Sequence, residues 1–167
     1  KLLGGPQAGI ILGRRDLILR LRRNPLCRAL RVDKLTLAAL EATLALYRDP
    51  EQARREVPTL RMLALEPEAL AARAHGVAER LRQAGISAAT LPGESAVGGG
   101  AYPEATLPTT LVALEVETPA DEVVRRLRGA TPPVVARIQD GRVVLDLRTV
   151  APEEEAPLVR AVCDACG

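Results

Sequence analysis

Residues 1–12 read KLLGGPQAGIIL, in which a single lysine precedes a Gly-Gly-Pro turn and a short apolar run. This pattern predicts that a glycine loop presents the Lys1 amine and that residues 7–12 form a buried strand. Glycine permits positive φ and close approach of the backbone, which leaves room for a planar group beside the amine. Gly-Gly turns are common, so the stretch indicates a presented lysine without deciding its chemistry.

The composition is that of a globular protein with an aliphatic core. The chain has 167 residues, of which 47% are hydrophobic and 26% charged, with no Trp and no Phe. No apolar run approaches the roughly 20 residues that cross a bilayer, and no secretory signal is visible. We therefore expect a soluble, cytoplasmic protein with no membrane or DNA partner. The opening is typical of the middle of a domain, which predicts a fragment of a longer protein.

Positive charge is concentrated near the start of the chain. Residues 1–34 carry nine Lys or Arg and two Asp, a net charge of +7, whereas the remainder carries −5. Such asymmetry indicates an anionic partner, although a solvated helix face is the preferred interpretation of the arginines at residues 14–23. Only Lys1 and Lys34 among the 23 basic residues are lysines. Because only an amine forms a Schiff base, these two positions are candidates for covalent chemistry.

Hydrophobic spacing divides the chain into an N-terminal part and an α/β domain. Helices are predicted at residues 16–23 and 34–47, the second with Asp33 as its N-cap. Residues 51–58 are polar and proline-bounded, and they are predicted to connect the two parts. The predicted domains are therefore residues 1–50 and residues 59–167, the latter a small sheet covered by helices.

The predicted α/β domain begins with a strong amphipathic helix at residues 66–84. Residues 93–108, which contain three consecutive glycines, are predicted to be a loop between two strands. A β-hairpin is predicted at residues 134–147 across Asp140-Gly141, and a last helix from residue 152.

Arg28 and Arg31 are the candidate anion-binding pair. A helical turn would place both guanidinium groups on one side, where two forked donors suit a tetrahedral oxyanion. On spacing alone, a surface arginine pair with Asp33 as ion-pair partner is the favoured interpretation. No metal site is expected, because His75 is the only histidine and Cys163 and Cys166 are predicted to be reduced residues on the terminal helix.

Four segments carry a resemblance to a known family. They are residues 1–11, residues 24–36 (NPLCRALRVDKLT), residues 95–100 (SAVGGG) with Leu107-Pro108, and residues 132–150. In this order they are similar to segments of the bacterial selenocysteine synthases, the L-seryl-tRNA(Sec) selenium transferases. The resemblance implies an α/β fold: the C-terminal part of an aspartate-aminotransferase-like, fold type I transferase that depends on pyridoxal 5'-phosphate (PLP). Residues 1–50 would end its large PLP-binding domain, and residues 59–167 would be its small C-terminal domain.

The resemblance also implies an activity and a site. Lys1 would be the catalytic lysine that forms a Schiff base with PLP, and Arg28 and Arg31 would bind the selenium donor. Seryl-tRNA(Sec) would be converted to selenocysteyl-tRNA(Sec) with selenophosphate, through an aminoacrylyl-tRNA intermediate, in a homo-oligomer. The groups that hold the ring and the phosphate, and the tRNA-binding region, would lie upstream of Lys1, so the chain alone is expected to be inactive.

Two other interpretations remain open from the sequence. One is a related PLP lyase that acts on a small amino acid or amino sugar without tRNA, using the same lysine. The other is a non-catalytic α/β interaction module formed by residues 59–167.

Overall fold

The computed structural model describes residues 2–98 and 102–167, and the chain divides into two compact units, Lys1–Arg61 and Met62–Gly167. The first unit is helical. Its helices are α1 (Arg15–Arg23), α2 (Leu26–Ala29), α3 (Lys34–Leu46), α4 (Pro50–Glu56) and α5 (Pro58–Leu63). The last helix, α5, continues past Arg61 into the second unit. The predictions of α1 and α3 are confirmed.

Local sequence explains where α3 and α4 begin. The Asp33 carboxylate accepts a hydrogen bond from the Thr36 backbone N–H at 2.8 Å, which is the N-cap interaction that the sequence predicts. Asp49 caps α4 in the same way, and Pro50 occupies the first turn, where its missing N–H costs nothing. Most of the segment expected as a connection, residues 51–58, is therefore helical.

The predicted strand at residues 7–12 is wrong. These residues have no regular secondary structure, and Ile11 and Leu12 are 70% and 89% exposed. A strand needs a partner for its backbone N–H and C=O groups. The described residues of the first unit contain no strand with which this segment could pair.

The second unit is an α/β domain with one antiparallel sheet of four strands in the order β1-β2-β4-β3. The strands are β1 (Ala88–Gly98), β2 (Tyr102–Leu114), β3 (Arg137–Gln139) and β4 (Arg142–Asp146), and the helices are α6 (Pro67–Gln83), α7 (Ala120–Arg128) and α8 (Glu155–Cys166). All three helices pack into one core with alternate strand residues, among them Val112, Leu114, Val143 and Leu145. The predicted sheet covered by helices is thus confirmed, as is the helix predicted at residues 66–84.

The β3–β4 hairpin turns where the sequence predicts. Asp140 and Gly141 both have positive φ, +50° and +74°. Two consecutive positive φ values define a type I′ turn, whose backbone twist matches that of the two flanking strands. Asp-Gly is a preferred residue pair for this turn.

The predicted loop at residues 93–108 is wrong. Strands β1 and β2 pair along this stretch, from Ala88↔Leu114 to Gly98↔Tyr102, with an irregularity between Ala96 and Gly98. Strand β4 pairs with β2 only at residues 111–113, so the β1–β2 hairpin extends beyond the four-stranded part of the sheet. Pro92 is tolerated because β1 is an edge strand, and Pro108 because β2 has no β4 neighbour at this position, so each strand leaves backbone positions that need no N–H donor.

Among the described residues, no helix is both long and apolar enough to cross a membrane.

Candidate functional site

The segment after Lys1 is a tight loop held by α3; Lys1 itself lies outside the described residues. Gly4 and Gly5 both have positive φ, +70° and +68°. The Tyr47 hydroxyl, just beyond the end of α3, donates a hydrogen bond to the Leu3 carbonyl at 2.8 Å. The loop that follows the candidate lysine is therefore fixed by backbone conformation and by a long-range hydrogen bond.

The two glycines also lie against neighbouring side chains. A Cβ added at Gly4 would stand 2.7 Å from Cγ1 of Val57, and one added at Gly5 would collide with the Thr43 side chain. Real Cβ atoms are rarely this close to another heavy atom, so both positions need glycine for packing as well as for φ.

We expect Gly5→Ala to destabilise the first unit by about 1–3 kcal/mol. Alanine is strained at the positive φ of this position, and its Cβ would also clash with the Thr43 side chain. Gly9→Ala is the matched control: no heavy atom lies within 4 Å of its added Cβ, and its φ is not in the left-handed region. Urea unfolding monitored by circular dichroism should show a lower midpoint for Gly5→Ala and a midpoint close to wild type for Gly9→Ala. Equal midpoints for the two variants would contradict the tight loop.

The helical turn expected to align Arg28 with Arg31 is not formed. Helix α2 ends after four residues, and Arg31 lies in the segment without regular structure that precedes Asp33. Both arginines are exposed, and within the described part of the chain neither is ion-paired with a carboxylate. Hydrogen bonds from Thr36 lower the pKa of Asp33, which caps α3 instead of pairing with these arginines.

A second polar cluster, which sequence reasoning missed, lies buried in the α/β unit. Its centre is Arg148, only 5% exposed, whose guanidinium donates to four acceptors. They are the Ser95 hydroxyl at 2.9 Å and the carbonyls of Met62 at 3.1 Å, Leu65 at 3.1 Å and Pro108 at 2.7 Å.

Asp146 completes this cluster from the end of β4. Its carboxylate accepts hydrogen bonds from Ser95 Oγ at 2.7 Å and Thr109 Oγ1 at 3.0 Å, and Arg137 approaches to 3.5 Å. Ser95, Thr109 and Arg148 are the buried polar residues of the described chain, and all three belong to this network. Every buried polar side-chain atom described has a hydrogen-bond partner, which is the condition under which such a network stabilises a core.

The network unites two of the four segments that carry the family resemblance, residues 95–100 with Leu107-Pro108 and residues 132–150. Ser95 comes from SAVGGG, Pro108 follows Leu107, and Arg137, Asp146 and Arg148 belong to residues 132–150. Because Arg148 bonds the Pro108 carbonyl where β2 has lost its β4 neighbour, the network anchors the base of the β1–β2 hairpin. Residues 99–101 of its glycine-rich tip lie outside the described residues.

The remaining reactive side chains are not organised into a centre. Cys163 and Cys166 are half-buried on α8 and reduced, as the sequence predicts. Burial, with a smaller effect of Cys163, raises the pKa of the Cys166 thiol and so keeps it protonated. Within residues 2–98 and 102–167, no three His, Cys, Asp or Glu side chains lie close enough together to hold a metal ion.

The fold thus defines an α/β protein in which a helical unit that follows the candidate lysine precedes a domain with an antiparallel sheet. The family model described as "SelA: L-seryl-tRNA selenium transferase" matches residues 1–151. The chain belongs to this family of selenium transferases.

Curated relatives support the same membership. The L-seryl-tRNA(Sec) selenium transferase of Solidesulfovibrio magneticus is 54% identical over 172 residues, which cover 99% of this chain and 37% of the relative. Those of Nitratidesulfovibrio vulgaris and Geobacter sulfurreducens are each 54% identical, over 100% and 95% of this chain and 36% and 35% of theirs. The chain therefore spans little more than a third of the length of the curated relatives it matches.

Proposed function

We propose that this chain is part of an enzyme that converts seryl-tRNA(Sec) to selenocysteyl-tRNA(Sec) with selenophosphate as the selenium donor. The observation that carries the proposal is the family match over residues 1–151, together with identity of about one half along almost the whole chain. The net change replaces the serine hydroxyl by a selenol. Water is lost from the seryl group, selenium adds at the same carbon, and a water molecule cleaves the Se–P bond of the donor to release phosphate.

The first unit fits a role as one wall of a PLP site. Lys1 is one of only two amines in the chain that can form a Schiff base, and the loop that follows it is held by Gly4, Gly5 and the Tyr47–Leu3 hydrogen bond. Bound PLP would supply an electron sink that acidifies the serine Cα–H. Lys1 would hold the cofactor, and its amine would then move the proton at Cα. Groups for the cofactor ring and phosphate are proposed to come from the part of the enzyme outside this chain.

The large exposed aliphatic residues of the first unit support its assignment to a larger domain. Of the fourteen large hydrophobic residues exposed in the described chain, twelve lie between residues 3 and 44. Soluble domains rarely leave so many clustered apolar side chains in water. We therefore propose that residues 1–50 complete a large PLP-binding domain of the fold type I class, that residues 51–58 connect, and that residues 59–167 form the small domain.

Arg28 and Arg31 are proposed to hold the anionic selenium donor. Both guanidinium groups are exposed and unpaired within the described residues, so neither needs to break an ion pair in order to bind an oxyanion. Forked N–H donors match phosphate-type oxygens. Although no shared helical turn aligns them, both arginines lie within the six residues that precede α3.

The test uses a chimera in which this chain replaces the matching segment of the Solidesulfovibrio magneticus relative. With PLP, seryl-tRNA(Sec) and selenophosphate, the chimera should form selenocysteyl-tRNA(Sec), whereas the 167-residue chain alone should form none. Elimination from free serine or an amino sugar without any effect on seryl-tRNA would instead support a lyase that acts without tRNA. No activity from a folded chimera that binds PLP would contradict the proposed function.

In the same chimera, we expect Arg28→Gln and Arg31→Gln each to lower kcat/KM for selenophosphate by roughly 10–100-fold, as for loss of one charge-assisted contact. The KM for seryl-tRNA should change little. Arg55→Gln, which removes an exposed arginine on α4, is the control and should leave both parameters near wild type. A selenophosphate KM equal to that of the control would contradict the assignment.

A further inference from the structure

Helix α1 is amphipathic, and its two sides have different chemistry. Its residues follow one another at about 100° around the helix axis. Leu17, Ile18 and Leu21 fall on one side by this spacing. The opposite half of the helix holds four exposed arginines: Arg15, Arg20, Arg22 and Arg23. The apolar side suits the larger domain proposed above, which leaves the basic side turned away from it.

The positive charge of this basic side is not neutralised within the described structure. Asp16 is the single acid of α1, and its carboxylate pairs with Arg14 at 2.7 Å, just before the helix. No ion pair involves any of the four arginines in the part of the chain that the structure describes. Asp16 and the exposed Leu19 also fall on this half of the helix, and the four guanidinium groups surround them.

The arginines of the α/β unit show the opposite arrangement. Helix α7 has a similar cluster of three in its last turn, but Glu122 pairs with Arg125 at 2.6 Å and with Arg126 at 2.9 Å. Glu155 of α8 likewise pairs with both Arg73 and Arg80 of α6. These arginines of the second unit are therefore compensated by carboxylates, whereas none of the four arginines of α1 has an ion-pair partner among the described residues.

We propose that the basic side of α1 binds the phosphate backbone of the tRNA substrate. This inference rests on the proposed function, because it takes the polyanion to be the tRNA that the relatives' names include. Arginine donors that have no carboxylate partner gain most from phosphate, since binding breaks no existing ion pair and releases condensed counterions. A helix of nine residues is about 13 Å long, so its arginines reach more than one phosphate along a strand.

The position of α1 along the chain agrees with this role. It lies between the loop that follows Lys1 and the segment that holds Arg28 and Arg31, all within the first compact unit. The reacting seryl group is attached to the end of a tRNA strand, so phosphates of that strand must pass close to the residues that act on it. Contacts to phosphate position a strand without reading its sequence.

The test measures binding of a tRNA(Sec) transcript to the 167-residue chain by fluorescence anisotropy over a range of salt concentrations. The variant replaces Arg20, Arg22 and Arg23 with Gln. Its matched control replaces Arg125, Arg126 and Arg128 of α7 with Gln, which removes the same charge from the last turn of a helix of the same length. Circular dichroism and light scattering establish that each variant keeps its fold and oligomeric state.

We expect the α1 variant to bind at least about tenfold more weakly at moderate salt, and the slope of log K against log salt to fall by about 2. The α7 variant should bind within about twofold of wild type. The inference is overturned if the wild-type chain does not bind the transcript, or if the two variants lose affinity equally. It is also overturned if the α1 variant changes oligomeric state while tRNA affinity stays the same, which would make this side of α1 a protein interface. None of these outcomes alters selenium transfer by the chimera, which tests the proposed function separately.

Discussion

Arg148→Met is expected to destabilise the α/β unit by about 3–5 kcal/mol, the usual cost of removing one partner from a buried charged network. The Arg148 guanidinium is the shared donor for the Ser95 hydroxyl and for three backbone carbonyls. Methionine fills much of the same volume but donates no hydrogen bond, so the buried Ser95 hydroxyl and the three carbonyls would each lose this donor. The Asp146 carboxylate would also lose a nearby compensating charge.

The measurement is urea unfolding of the chain, with Arg142→Met as the control. Arg142 is exposed on β4, and its substitution should change the free energy of unfolding by less than about 0.5 kcal/mol. Arg148→Lys should recover little stability, because one ammonium group cannot reach acceptors that are spread around the edge of the planar guanidinium. Similar unfolding midpoints for Arg148→Met and Arg142→Met would show that the network contributes little.

The helices and the β3–β4 hairpin could be predicted because each depends on signals close together in sequence. Asp33 caps α3 three residues before its Thr36 donor, and Asp140-Gly141 supplies both positive φ values of the hairpin turn. Interactions of this kind are present in the sequence as fixed spacings.

The long β1–β2 hairpin could not be predicted from the same signals. Its outer half contains glycine, proline and other small residues, which are ordinarily typical of loops. What holds it is pairing in register, from Gly93↔Thr109 outward, and the Arg148–Asp146 network at its base. The Arg148 and Asp146 side chains bond to distant partners that are 37 to 86 residues away, so no local pattern indicates them.

In the first unit, local sequence patterns predict a strand and a helical turn that the structure does not contain. The apolar run at residues 7–12 has the composition of a buried strand, but its strand neighbours are absent from the described first unit. Arg28 and Arg31 have helical spacing, yet α2 ends at Ala29. The candidate site residues Lys1, Arg28 and Arg31 therefore depend on the family resemblance more than on the geometry of this chain.

Lys1→Arg is expected to lower selenium transfer by the chimera by roughly 10³-fold or more, as for other residues that hold a covalent intermediate. A guanidinium keeps the positive charge but cannot form a Schiff base, so the loss would reflect chemistry and not electrostatics. Lys34→Arg is the control, because Lys34 is the other lysine and stands exposed at the start of α3. Its activity should remain near wild type.

The most direct measurement of the central claim is the position of the cofactor on the chain. The chimera is loaded with PLP, reduced with borohydride and digested, and the peptides are examined by mass spectrometry. A phosphopyridoxyl group on Lys1, and none on Lys34, is the predicted result. A label on Lys34 or only on a lysine outside this chain, or no label on a chimera that transfers selenium, would contradict the assignment of Lys1 as the cofactor lysine.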